Sequence, residues 1–215
     1  MNFNAPVQIL ICVAIGYFLG GISPSYIIGK FKGYDVRENG SKNAGASNML
    51  IISGKLAFVV VAVLDVFKAW FSFWICVRLF PELELAGIIG GVACVIGHMF
   101  PLLLHFRGGK GFACLAGLCL GYSPRALFIM FFIALGIAFI TNYVCIVTSS
   151  MSVIFPIYYG ITTSFWIGAL VLAIPAIPIF LKHMENFRRI KNGQELHMSY
   201  LWKKDKELQR AGYER

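Results

Sequence analysis

Residues 126–181 read ALFIMFFIALGIAFITNYVCIVTSSMSVIFPIYYGITTSFWIGALVLAIPAIPIFL, 56 successive positions without Asp, Glu, Lys or Arg. As one helix the run would be about 84 Å long at ~1.5 Å per residue, against a hydrocarbon core about 30 Å thick. It therefore crosses a membrane more than once. Turn-prone residues at Thr141-Asn142 and around 160–163 divide it into three somewhat short helices. Upstream, the apolar runs 5–28, 56–80 and 85–104 each suffice for a span, and the shorter run 112–122 fits a short or tilted helix inside a bundle.

The fold class is thus an all-α integral membrane protein: about seven transmembrane helices in a single polytopic domain over 1–215, with a basic tail at 182–215. Hydrophobic residues make up 58% of the chain and charged ones only 13%. That is about half the charge of a soluble domain, which excludes a water-soluble enzyme and a disordered protein alike. Of the nineteen Lys and Arg, sixteen fall in 30–55, 105–111 and the tail. Seven spans put all three segments on the cytoplasmic side, with the N-terminus outside and the C-terminus cytoplasmic. Lys30 and Lys32 follow the first apolar run rather than precede it, the wrong order for a secretory signal. Because the bases sit in short loops between apolar runs, the net charge of +9 reads as membrane orientation and anionic ligands, not nucleic acid. The cysteines (12, 76, 94, 114, 119, 145) lie in apolar stretches without metal-ligand spacing. They are expected to be small buried hydrophobes, with no disulfide and no metal.

Chemistry concentrates in the three basic segments. The first, from Gly33 to Asn48, is rich in Gly, Ser and Asn, which lets backbone amides and short polar groups approach a ligand; Arg37 offers a phosphate fork and Lys42 a point charge. The second, Gly97-His98-Met99-Phe100-Pro101 and then Phe106-Arg107-Gly108-Gly109-Lys110-Gly111-Phe112, leads into a helix, where glycine amides beside a lysine cradle an anion. It is not a Walker A loop: Leu104 and Gly111 stand where glycine and Ser/Thr are needed. In the third, 182–195, a helix puts His183, Asn186 and Ile190 on one face and Glu185, Arg188 and Arg189 on another. A histidine beside an asparagine can orient a hydroxyl, whereas a basic juxtamembrane helix on lipid headgroups needs no active site. Within a span, Asp65 and Lys68 are three apart on one face and are read as a structural pair. Together the segments imply phosphate-bearing ligands plus something that partitions into lipid.

The three segments resemble the signature motifs of the bacterial acyl-phosphate:glycerol-3-phosphate acyltransferase family over about residues 20–195. The first motif is similar to Asp35-Val36-Arg37 and 40–48; the second to Gly97–Pro101 and Phe106–Gly111; the third to His183, Asn186, Arg189, Gly193 and Glu195. Asp65 and Lys68 match a D-x-x-K element. The resemblance implies acyl transfer from acyl phosphate to sn-glycerol 3-phosphate, giving lysophosphatidic acid and phosphate in phospholipid synthesis, with no cofactor. It also implies an upstream enzyme that makes acyl phosphate, and a multi-pass protein of the bacterial plasma membrane with its active site facing the cytoplasm. Implied substrate-holding residues are Gly108, Gly109, Lys110 and Gly111 for glycerol phosphate, and Arg37, Ser41 and Asn43 for acyl phosphate, with Lys42, Asn48, Ser23 and Thr148 nearby. His183 and Asn186 would orient the attacking hydroxyl, and Glu195 is structural. The chain departs from the family pattern at Lys42 (usually glycine), Met184 (usually basic), and Asn142 and Cys145 (an arginine and a hydroxyl); the serine before Pro24 is displaced to Ser23 or Ser25. Acyl-CoA-dependent acyltransferases resemble H-x-x-x-x-D instead, and no aspartate stands five residues after any histidine here. A phosphate-ester transporter would need cations on both sides of the membrane. A non-catalytic lipid-binding relative is the remaining alternative.

Overall fold

The computed structural model describes residues 4–201 and 203–212; residues 1–3 and the tail's last base, Arg215, lie outside the described residues. Among the described residues the architecture is all-helical. Six segments are long and apolar enough to cross a membrane: Ala5–Phe31, Lys55–Leu79, Ala86–Leu104, Pro124–Thr141, Val144–Thr163 and Trp166–Lys191. A seventh, Phe112–Tyr122, is apolar but shorter.

The first segment is interrupted. Helix α1 (Ala5–Gly21) stops where Pro24 removes a ladder N–H, and α2 (Pro24–Phe31) restarts with Ser23 as its cap, Ser23 Oγ accepting from Tyr26 N at 3.4 Å. The basic segment 30–55, expected to be loop throughout, contains α3 (Ala46–Ser53); Gly54, at φ 85°, turns the chain into α4 (Lys55–Leu79). Next come α5 (Ala86–Met99) with a 3-10 turn at Leu102–Leu104, and α6 (Phe112–Tyr122). Ser123 and Pro124 start α7 (Pro124–Thr141), and the break expected at Thr141-Asn142 is there, with Asn142 left-handed at φ 61°. Helix α8 (Val144–Thr163) runs to Ser164, slightly beyond the expected break. The last segment bends at Ile174-Pro175 between α9 (Trp166–Ala173) and α10 (Ala176–Lys191), a break not anticipated from composition. A short α11 (Lys204–Arg210) lies in the tail.

Helix α5 is the centre of the bundle: twelve of its fourteen residues are buried, against three of eighteen in α7. Small residues bring α1 onto it. A methyl on Gly16 would stand 2.1 Å from Gly90 O, and one on Gly20 2.1 Å from Cys94 O, so only hydrogen fits. Ser72 Oγ of α4 donates to Gly90 O at 2.8 Å. Outward-facing Phe139, Ile140 and Leu170 are largely exposed and form a lipid-facing surface. All six cysteines are buried free thiols.

The bundle has two unlike ends. Arg37 Nη1 donates to Leu104 O at 3.0 Å, Arg107 pairs with Glu38 at 2.8 Å, and Lys182 Nζ reaches Gly108 O at 3.4 Å, so all three basic segments meet at one end. Arg78, at the other end of the 25-residue α4, stacks over Trp74 at 5.3 Å.

Candidate active site

The first loop is built around Asn48, which is fully buried on α3. Its Oδ1 accepts from Ser41 N at 2.7 Å, and its Nδ2 donates to Val36 O at 2.8 Å and to Asn39 O at 2.9 Å. Both amide hydrogens are given to its own loop and its oxygen receives a loop amide, so Asn48 shapes this loop. Lys42, where the family pattern has glycine, sits exposed at φ 57°. The motif glycine is explained by that left-handed backbone, and the lysine costs on the order of 1–2 kcal/mol of strain without crowding the loop. Arg37 is also occupied: Nε and Nη2 donate to Asp35 at 3.0 and 2.7 Å, and its guanidinium lies 4.8 Å from the Tyr26 ring. The hydrogen bonds from Arg37 hold the Asp35 carboxyl well below the usual carboxylate range. Its fork is thus oriented by Asp35 rather than open to a phosphate on both prongs.

The glycine turn lies against this loop, a methyl on Gly45 falling 3.8 Å from Gly109 Cα. Its other side rests on the end of α5. Gly109 N donates to His98 O at 3.1 Å, and a methyl on Gly108 would stand 2.1 Å from that same oxygen. Gly111, at φ 91°, then starts α6. Beneath the turn, Asp65, Lys68 and His98 are buried together: Lys68 Nζ lies 2.7 Å from Asp65 Oδ1 and 3.0 Å from His98 Nδ1. Asp65, His98 and Cys114 bring potential metal ligands within 4.8 Å of one another, but Lys68 already supplies a cation there. Asp65 and Lys68 pair within one helix, and His98, to which the motif spacing alone assigns no role, joins them. Its signal was a lone imidazole in an otherwise apolar helix.

Helix α10 supplies the third wall. Lys110 Nζ donates to Asn186 Oδ1 in a short hydrogen bond. Asn186 Nδ2 donates to Glu195 Oε1 at 2.5 Å, and Arg189 donates to Glu195 Oε2 at 2.7 Å and to Glu185 at 2.5 Å. Glu195 is therefore the hub that aims Asn186. Burial, then the neighbouring Arg189, lowers the Lys110 pKa, with Glu195 and Glu185 offsetting only part of the effect. Lys182 was missed from sequence. It lies 4.8 Å over the Phe100 ring beside Gly108, a second cation at the turn. His183, 3% exposed, donates Nδ1–H to Ile179 O at 2.8 Å, which leaves Nε2 as the acceptor.

Two expected members stand apart. Thr148 is buried and returns its hydroxyl to Val144 O at 2.9 Å, a bond within α8. Ser23 shares a 3.1 Å contact with buried Ser25 at the α1–α2 break. The tail folds back onto the same end: Met198 N donates to Asn142 O at 2.8 Å, and Arg210 donates to Gly193 O at 2.7 Å and to Glu195 O. One residue past Gly111, an almost wholly apolar cleft opens between α6, α7 and α8, lined by Phe112, Leu115, Met130, Phe131, Ala134 and Phe155 among others.

Fold and site together define a multi-pass helical membrane protein with a cation- and glycine-rich rim and an apolar cleft. The chain belongs to the glycerol-3-phosphate acyltransferase family, whose model matches residues 10–193. Glycerol-3-phosphate acyltransferases of Alkaliphilus metalliredigens (36% identity, 86% of this chain and 94% of that one) and Macrococcus caseolyticus (35% identity, 88% and 96%) are among its relatives. It is also similar to crystal structures of PlsY (YgiH), an integral membrane glycerol 3-phosphate acyltransferase. The glycerol 3-phosphate form matches at TM-score 0.78 and 31% identity over 90% of this chain and 96% of that one. The lysophosphatidic acid form matches at 0.75 and 30% over 88% and 94%.

Proposed function

We propose that this protein transfers an acyl group from acyl phosphate to sn-glycerol 3-phosphate, releasing lysophosphatidic acid and phosphate. The carrying observation is the meeting of Gly108, Gly109, Lys110 and Lys182 with the Asn186–Glu195 pair, next in the chain to Phe112, which lines an apolar cleft. The cations and the glycine turn hold the glycerol phosphate. The loop from Arg37 to Asn43 receives the acyl phosphate, with Ser23 and Ser25 at its margin. His183 Nε2 and Asn186 orient the glycerol hydroxyl. Its oxygen forms a bond to the acyl carbon, the acyl carbon–phosphate oxygen bond breaks, and the proton passes to the released phosphate or to His183 Nε2. No covalent acyl-enzyme is required, because the donor is already activated.

The whole chain acts as one polytopic domain of seven crossings, with Phe112–Tyr122 as the short fourth. The concentration of basic residues at one end supports a bacterial plasma-membrane location with that end in the cytoplasm. A transporter is disfavoured by the acyltransferase family and by the one-sided cations. An upstream enzyme that phosphorylates or transfers acyl groups to phosphate supplies the donor. The test is direct: purified protein with radiolabelled glycerol 3-phosphate forms lysophosphatidic acid with acyl phosphate and none with acyl-CoA. Product from acyl-CoA alone overturns the donor assignment.

The cleft is the seat of the acyl chain in this reading, each buried methylene contributing about 0.8 kcal/mol. Ala134→Trp is expected to shift donor preference toward chains several carbons shorter. Competition between acyl phosphates of different length measures it, and an unchanged preference removes the chain from this cleft.

A further inference from the structure

We propose that His98 is a positioning residue: its imidazole, braced by Asp65 and Lys68, is the floor that sets the height of the Gly108–Lys110 turn. The inference rests on the functional reading above and adds to it a residue that never touches substrate.

Burying three ionisable groups between α4 and α5 is costly, and a clasp between the helices needs only two. Asp65 and Lys68 already form an ion pair at 2.7 Å from the same helix. The third member has a separate geometry. His98 Nδ1 faces Lys68 at 3.0 Å and Asp65 at 3.3 Å, which fixes the ring from one side. The opposite edge lies under Gly109, where an added methyl would stand 2.1 Å from Nε2 and 2.6 Å from Cε1. The backbone of the same residue accepts from Gly109 N at 3.1 Å. The turn is therefore held twice by His98, once by a hydrogen bond and once by contact with a ring that cannot recede. Lys110 is the next residue, so a change in ring position is a change in where its ammonium starts.

Lys68 extends the device to a second element. At the α1–α2 break Tyr26 N turns to Ser23 Oγ rather than to Ile22 O, and Lys68 Nζ donates to that freed carbonyl at 2.7 Å. One buried cation thus registers the Ser23–Ser25 break against the imidazole, and through it the glycine turn. Two elements far apart in sequence share a single reference point.

A double-mutant cycle tests the contact. Gly109→Ala drives a methyl into the ring and is expected to raise the KM for glycerol 3-phosphate about a hundredfold, the scale of a ~1 Å misplacement. His98→Ala is expected to raise it about tenfold, with kcat changed less than threefold and the KM for acyl phosphate unchanged. In the double variant the methyl has room, so its KM should lie below that of Gly109→Ala alone. His98→Asn, shorter than the ring but polar, replaces His98→Ala in both arms should that variant not fold. Additive effects, or a lowered melting temperature with unaltered KM, overturn the positioning role and leave His98 a packing residue. Wild-type protein that forms no product with either donor overturns the functional reading itself, a result distinct from additivity in an active enzyme.

Discussion

Replacing Lys110 with alanine is expected to raise the KM for glycerol 3-phosphate about a hundredfold while the protein stays folded. A charge-assisted hydrogen bond to phosphate contributes about 1.5–3 kcal/mol, and 3 kcal/mol is a factor of about 150. The lysine is well placed for that role because its one neighbouring acceptor, Asn186 Oδ1, is neutral, and the nearby Glu195 is already engaged by Arg189 and Asn186. The fold should survive because the helices around the turn pack through glycine and apolar contacts rather than through this ammonium. Lys110→Arg should remain impaired, since a planar fork replaces a compact point charge in a turn closed by Gly108 and Gly109. Burial and Arg189 lower the Lys110 pKa, so the ammonium is lost at a lower pH than for an exposed lysine. Substrate affinity accordingly weakens on the alkaline side sooner than an ordinary lysine would dictate. Steady-state kinetics on purified protein, with melting temperature as the fold control, decide the matter; an unchanged KM removes Lys110 from the phosphate site.

The second large effect belongs to His183. His183→Ala is expected to lower kcat by at least about a hundredfold, the scale of a positioned proton acceptor, while the KM for glycerol 3-phosphate moves less than threefold. The split follows from geometry. The Nδ1–H bond to Ile179 O fixes the tautomer, leaving Nε2 to receive or orient a hydroxyl proton, whereas the phosphate is held by other groups. His183→Gln, which keeps a polar tip, should recover part of the rate. A kcat within threefold of wild type would mean that released phosphate alone accepts the proton and that His183 serves packing.

The spans were legible in the sequence because hydrophobic length and turn chemistry act locally. Asn142 ends α7 where a short polar residue tolerates the left-handed region, and Ser123 with Pro124 marks the start of that same helix. The kinks at Ile22-Ser23 and Ile174-Pro175 were harder to see, since a proline inside an apolar run leaves hydropathy unchanged while deleting a backbone donor. The site was legible as three segments but not as contacts. That Asn48 would spend itself on Ser41, Val36 and Asn39, or that Arg37 would be gripped by Asp35, depends on loop closure that spacing does not encode. His98 shows the same limit: its partners lie about 30 residues before and 11 after it in the chain, and only the packing of α4 on α5 brings them together.

Helix α6 has eleven residues, a length of about 16 Å, roughly half the thickness of the oily slab it must help to cross. Its start follows the glycine turn directly, Lys110 standing two residues before Phe112. In the proposed reaction the water-soluble phosphate and the acyl chain are thereby received two residues apart, by Lys110 and by Phe112 at the lining of the apolar cleft.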